Sequence, residues 1–323
     1  MLPNALATTV RNFYKPSWWQ ESAIPYAQTR LLNRYADTMR WKTADVMAAD
    51  WDTLIVLDAC RYDTFKQTTS LPGKLSTVTS AGSSTQEFLD QNFDDDSTHH
   101  DTVYVTANPM YRINDWVSTS FDNTFHAVAD VWEDSWDEQL HTVTPDSMVE
   151  ATLEAAERYP RKRLFIHFIQ PHIPFIGPTG RNELSDQNSM EIARGRARGE
   201  WTDTRINVWD LLEEGELDRD TVWRAYVENL EVAVPHVETL LDTLGGRHVV
   251  TSDHGNLFGE YAWPFPFKLY GHPEGVRTPK LTTVPWQVVH EGPRREITSD
   301  PPETDHLEED GAVSDRLRDL GYR

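Results

Sequence analysis

Cysteine is almost missing from this chain: Cys60 is the one such residue in 323. That excludes an intrachain disulfide and a cysteine-built zinc cluster. Lysine is scarce as well. Lys15, Lys42, Lys66, Lys74, Lys162, Lys268 and Lys280 are all of it, so arginine carries most of the positive charge, and the formal net charge is −22. Phosphate backbones need a basic face, so nucleic-acid binding is disfavoured. Acid excess with little lysine reads instead as adaptation to high salt, where self-repulsion is screened. No stretch approaches the ~18 apolar residues of a membrane span. The start, MLPNALATTVRNFYKPSWW, lacks the basic and apolar segments of a signal peptide. The expectation is a cytoplasmic protein of a halophilic organism, without stable membrane insertion. Its oligomeric state is not legible.

What is present supports a real core. The hydrophobic fraction is 38% and the aromatic fraction 11%, enough for one large domain. Residues 24–41 have helical apolar spacing and form the end of an N-terminal extension, 1–50. Strands are expected at 53–57, 102–109, from 163 into a proline-rich loop, and at 247–252. Residues 94–101 read as a charged surface turn. A helix over 146–160 is stopped by Pro160, and a long helical region over 221–246 carries an internal Pro235. Strand–helix alternation predicts an α/β three-layer sandwich with a central, mostly parallel sheet and a small C-terminal subdomain. The main α/β domain is placed at 51–296. An acidic linker and C-terminal helix follow over 297–323.

Two apolar, β-branched runs end abruptly in acid: LIVLDACRYD at 54–63 and HVVTSDHG at 248–255. Buried parallel strands deliver residues to the carboxyl edge of a sheet in this way, and sites lie along that edge. Asp58, Asp253 and His254 offer two carboxylates and an imidazole, the bulk of a divalent-metal site. A strand-terminal carboxylate is equally a helix cap, and both readings stay open for each aspartate alone. Gly82-Ser83-Ser84-Thr85 reads as a loop entering a helix. A hydroxyl there is either an ordinary N-cap or a nucleophile acidified by the helix dipole and a metal. His172 and His272 sit beside prolines in loops, suited to an oxyanion or a leaving group. Arg61, beside Asp58, either meets substrate or forms a structural ion pair.

The order of these motifs resembles the alkaline phosphatase/sulfatase superfamily, in its sulfatase-like branch. LIVLDACRYDTF looks like its first strand, GSSTQEFL lies where it places a metal-bound nucleophile, and LFIHFIQPHIPF looks like its P-H-x-P strand. HVVTSDHGNLFGE is similar to its T-S-D-H-G-x-x-x-G-E signature, and YGHPEGVRTPKLTTVPW to the segment that follows. The resemblance covers roughly residues 50–323. It implies metal ligands Asp58, Thr85, Asp253 and His254, and substrate contacts at His172 and His272. For the nucleophile it ranks Thr85 ahead of Ser83 and Ser84.

Two departures shape the expected activity. The sulfatase motif C/S-x-P-x-R is absent, which turns the reading from sulfate towards phosphate esters. The stretch His167 to His172 has no aspartate, which favours a single divalent metal. Manganese or zinc suits the mixed O/N set better than magnesium or calcium. In chemistry this resembles the lipoteichoic-acid-synthase and phosphoethanolamine-transferase group, whose members are membrane-anchored. The expected function is hydrolysis or transfer of a phosphate ester on an anionic small molecule, glycan or lipid head group. A sulfatase with an unusual nucleophile and a non-catalytic binding protein are the alternatives. The polar stretch 176–220 is expected to shape specificity over the site, its Arg181, Arg194, Arg196, Arg198 and Arg205 either meeting an anionic substrate or, the favoured reading, belonging to a solvated polar lid.

Overall fold

The computed structural model describes residues 27, 28, 30, 31, 34, 42–93, 98–113, 117, 121, 123–184, 189–199, 207–262 and 265–302. Its strands are β1 (Thr53–Leu57), β2 (Lys74–Thr79), β3 (His99–Thr106), β4 (Phe125–Asp130), β5 (Trp136–Asp137), β6 (Thr142–Val143), β7 (Arg163–Phe168), β8 (Gly246–Thr251), β9 (Leu257–Tyr261), β10 (Lys268–Gly271) and β11 (Thr283–Glu291). The helices are α1 (Tyr62–Thr68), α2 (Thr85–Asn92), α3 (Val131–Asp134), α4 (Pro145–Arg158), α5 (Pro178–Glu183), α6 (Ser189–Ala197), α7 (Val208–Glu214), α8 (Arg219–Thr243) and α9 (Pro279–Thr282).

The main sheet has the order β2-β11-β8-β1-β7-β3-β4. From β8 to β4 all neighbours are parallel, and β11 runs antiparallel to both β8 and β2. β1 is central and buried along its whole length, which is why its sequence is continuously apolar rather than alternating. Ile55, Leu57, Val105, Ile166 and Phe168 pack on one face with residues of α4 and α8 such as Met148, Leu230 and Val237. Leu54, Val56, Tyr104 and Phe165 pack on the other with Phe88 and Leu89 of α2 and with Phe93. The result is the expected three-layer α/β sandwich.

Local signals set the element ends. Thr144 caps α4 through Ser147 N, and the helix stops two residues before Pro160, whose ring disfavours helical backbone at the preceding position. α8 runs through Pro235 as one helix of 25 residues. An internal proline costs about 3 kcal/mol. The continuous buried stripe of Val222, Tyr226, Leu230, Val237 and Leu241 outweighs it at roughly 1.5–3 kcal/mol per large apolar side chain.

One sequence reading is corrected, and two others gain detail. The third strand begins at His99 and ends at Thr106, so His99 and His100 are strand residues and not part of a solvated turn. Pairing with β4 and an edge-on contact between His99 and Phe93 at 5.6 Å draw them in; residues 94–97 lie outside the described residues. The stretch 176–220 holds α5, α6 and α7. The C-terminal addition is the hairpin β9–β10, with a small apolar cluster of Leu257, Ala262, Val276 and Leu281. The helix expected at 313–323 lies outside the described residues, as does most of the one at 24–41. Among the described residues, no helix is long and apolar enough to cross a membrane.

Candidate metal centre

β1 and β8 are adjacent and parallel, with Val56 opposite Thr251. One residue beyond β1 stands Asp58, and two beyond β8 stands Asp253. Both are buried, as is His254. The turn after Asp58 is strained, with Ala59 at φ 58°. It is held by Tyr226, whose hydroxyl donates to Ala59 O at 2.7 Å and accepts from Arg61 N at 2.8 Å. Such backbone is kept where surrounding contacts over-determine it.

Each prospective ligand is oriented by a partner on its far side. Oδ1 of Asp253 accepts from Ala59 N at 3.0 Å and from its neighbour His254 N at 2.8 Å, leaving Oδ2 to face inward. Oδ2 of Asp58 accepts from Asn108 Nδ2 at 2.8 Å, and its Oδ1 is buried with no hydrogen-bond partner among the described residues. Nδ1 of His254 lies 2.7 Å from Gly255 O. A carbonyl only accepts, so the proton is assigned to Nδ1 and Nε2 carries a lone pair. That lone pair points at acceptors: 3.4 Å to Asp253 Oδ2 and 3.6 Å to Asp58 Oδ1.

The hydroxyl of Thr85 completes the group. Its Oγ1 donates to Asp253 Oδ2 at 2.7 Å and lies 3.4 Å from His254 Nε2. The neighbouring serines are otherwise engaged. Ser83 donates its hydroxyl to Glu87 Oε2 at 2.7 Å, and Ser84 is the N-cap of α2, accepting from Glu87 N. Gly82 allows this loop to close, because a Cβ there would lie 2.3 Å from Phe88 N.

A bare imidazole nitrogen, an orphaned carboxylate oxygen and a second carboxylate oxygen, all buried and mutually facing, repel one another unless a cation sits among them. Ligands on one cation with bonds of about 2.0–2.2 Å stand roughly 3–4 Å apart, and His254 Nε2 stands 3.4 to 3.6 Å from Thr85 Oγ1 and the two carboxylate oxygens. The residues therefore fit a divalent metal. The charges agree. Burial, and then the charge of Asp253, push the Asp58 carboxyl well above its usual range. Two carboxylates this close do not both ionise readily without a counter-charge.

His172 and His272 meet at the rim, Nε2 to Nε2 at 3.0 Å, although they lie 100 positions apart. His172 Nδ1 is 2.7 Å from Ile173 O, so its Nε2 is the bare atom, and His272 donates to it. Asn229 of α8 fastens this loop by donating to His172 O at 2.8 Å. Burial lowers the His172 pKa to about 4, with the charge of His254 adding to the effect. Burial, followed by the two neighbouring histidines, lowers His272 well below its usual value. The His254 and His272 rings are 4.6 Å apart, which ties the rim pair to the metal group.

Arg61 is committed elsewhere. It donates to Asp63 at 2.9 and 2.8 Å, to Glu260 at 2.6 Å and to Asn256 O at 3.2 Å, with its side chain 4% exposed. This is the geometry of the structural ion pair, not of a substrate contact. Burial, then the charges of Asp253 and Asp63, push the Cys60 thiol well up, so it is no thiolate nucleophile. Arg194 and Arg198 pair with Glu138 and Glu133 at 3.1 and 2.7 Å, and Arg205 lies outside the described residues. From α7, Trp209 packs against Gly271, next to His272.

The sequence reading missed Asn108, Tyr226 and Asn229, which position the site without standing in a motif. Asn108 had one signal: it follows β3 at the same sheet edge as Asp58.

No family model matches the chain, and no curated protein matches it. Several solved structures are similar to it. The integral membrane protein lipooligosaccharide phosphoethanolamine transferase A (EptA) from Neisseria meningitidis has 13% identity and a TM-score of 0.47, over 88% of this chain and 58% of that one. The C-terminal periplasmic domain of EptC from Escherichia coli, in complex with Zn, has 15% identity and a TM-score of 0.47, over 78% of this chain and 76% of that one. A protein in the alkaline phosphatase superfamily from Vibrio parahaemolyticus has 13% identity and a TM-score of 0.36, over 81% of this chain and 65% of that one. This chain thus spans little more than half the length of EptA.

Proposed function

We propose that this protein is a metal-dependent enzyme of the alkaline phosphatase/sulfatase type that transfers or hydrolyses phosphate esters, with Thr85 as nucleophile. One observation carries the reading: a helix-start hydroxyl, two strand-end carboxylates and a bare imidazole nitrogen converge within 2.7–3.6 Å. Asp58, Asp253, His254 and Thr85 would hold one divalent cation. When bound, it supplies positive charge against the phosphoryl oxygens and lowers the pKa of the hydroxyl.

The protein's own residues do the rest. Asp253 Oδ2 accepts the Thr85 hydroxyl proton and fixes the direction of the oxygen lone pairs. Thr85 sits at the start of α2, where the helix dipole favours developing negative charge. Its oxygen attacks phosphorus in line with the leaving group and forms a phospho-enzyme. The His272 N–H, which rests on His172 Nε2 at 3.0 Å, would turn to a phosphoryl oxygen or to the departing alkoxide once substrate enters. Water ends the cycle in a hydrolase, and an acceptor alcohol ends it in a transferase. The substrate class proposed is an anionic phosphate ester of a small molecule, glycan or lipid head group, handled in the cytoplasm of a salt-adapted cell. Zinc or manganese is the proposed metal, given the mixed oxygen and nitrogen donors.

The test is an assay in high-salt buffer of p-nitrophenyl phosphate, a phosphodiester and a sulfate ester, each with added zinc, manganese, magnesium or calcium. Metal-dependent cleavage of a phosphate ester, abolished in Asp253→Ala, is the expected result. Turnover unchanged in Asp253→Ala, or confined to the sulfate ester, would overturn the reading.

A further inference from the structure

We infer that His167 is a further ligand to the metal proposed above, held in place by Tyr104; the inference rests on that reading of the site. His167 belongs to β7, the strand between β1 and β3, where it stands opposite Val56 and Thr106. It is fully buried. The motif resemblance assigned no role to it.

Both ring nitrogens have definite surroundings. Nδ1 lies 3.0 Å from the Tyr104 hydroxyl, and the Phe165 ring stacks alongside at a centroid distance of 6.1 Å. These contacts fix where Nε2 points. Nε2 has no hydrogen-bond partner among the described residues. It lies 3.7 Å from Asp253 Oδ2, beyond hydrogen-bond reach. One ligand atom each from Asp58, His167 and Asp253 falls within 4.8 Å of the others.

A histidine kept only for packing would turn its polar atoms to the nearest donors or acceptors. Here one nitrogen is satisfied by Tyr104 and the other is left facing two carboxylates. The 3.7 Å gap is too wide for a shared proton and suits two donors on one cation, whose separation is roughly 3–4 Å at bond lengths of about 2.0–2.2 Å. Tyr104 then holds the ring in orientation, with His167 Nδ1–H donating to its hydroxyl oxygen so that Nε2 carries the lone pair, the part an acceptor behind a ligating histidine commonly plays. With His254, the site would carry two imidazoles beside two carboxylates and the Thr85 hydroxyl. That donor set turns selectivity further from magnesium and calcium towards zinc.

The test uses the full chain loaded with zinc, read by X-ray absorption and by competition against a chromophoric chelator. The wild-type protein is expected to show two imidazoles per zinc. His167→Gln should show one, with zinc affinity lower by about 10–100-fold and the metal-free melting temperature little changed. Tyr104→Phe should keep two imidazoles and bind zinc more weakly than wild type. A count of one imidazole in the wild-type protein overturns the inference whatever the variants do, as does unaltered affinity in His167→Gln. Failure of the wild-type protein to bind zinc, manganese, magnesium or calcium overturns the site reading itself, and this inference with it.

Discussion

The hydroxyl of Thr85 donates to Oδ2 of Asp253 across 2.7 Å, between residues 168 positions apart. Of the three hydroxyls in the loop, this one faces the carboxylates, while Ser83 and Ser84 are occupied by Glu87. Thr85→Ala is therefore expected to lower turnover on the order of 10⁴-fold or more, as removal of a nucleophile does. Ser84→Ala should cost about 1 kcal/mol of stability through the lost cap and leave most of the turnover. Steady-state kinetics and mass spectrometry of trapped phospho-enzyme would check this. A phosphorylated Ser83 or Ser84 would refute the assignment.

Asp58 and Asp253 are buried side by side, and burial and repulsion raise the Asp58 carboxyl. Asp58→Asn should abolish metal binding and yet stabilise the metal-free protein, because it removes one of two opposed buried carboxylates. Melting curves in chelator would show the rise. A fall in melting temperature there would mean that the two carboxylates do not oppose each other.

The rim histidines set a pH dependence of stability. His172 has a folded pKa of about 4 against an ordinary 6.5, so between those values the unfolded chain holds more protons than the folded one. Stability is then full above about pH 6.5 and falls as the pH drops towards 4, by up to about 3 kcal/mol. In chelator, His172→Gln should flatten that slope. A wild-type protein equally stable at pH 4.5 and pH 7 would contradict it.

Arg61 separates a structural role from a catalytic one. Its guanidinium is buried against Asp63 and Glu260, and loss of one partner of such a pair costs about 3–5 kcal/mol. Arg61→Met is expected to lower the melting temperature sharply while KM measured at low temperature stays near the wild-type value. A large rise in KM with little change in melting would return Arg61 to substrate binding.

Much of this arrangement was legible in the chain. Thr53–Leu57 and Gly246–Thr251 read as buried strands because parallel strands covered on both faces must be apolar throughout. Asp58, Asp253 and His254 stood out because ionisable groups directly after such strands have few purposes other than capping or ligation. The beginning of β3 was not legible: His99 and His100 follow a run of aspartates, and only the partner strand β4 and Phe93 make them part of a sheet. Whether Arg61 meets substrate or forms an ion pair was likewise open in the sequence, since Glu260 approaches it from 199 positions away.

The sequence by itself determined the alternation of strands and helices, the acidic composition, and which short segments carry ligand-type residues. Those properties are local, set by side-chain chemistry and periodicity. The tertiary structure decided which of those residues meet, which serine or threonine hydroxyl faces the carboxylates, and which histidine nitrogen is left bare. It also supplied Asn108, Tyr104, Tyr226 and Asn229, ordinary polar residues that gain their positioning role from the group they touch. The physical reason is that a lone pair or a proton is directed by its hydrogen-bond partner. In this protein those partners come from other strands and helices, brought together only when the sheet closes around β1.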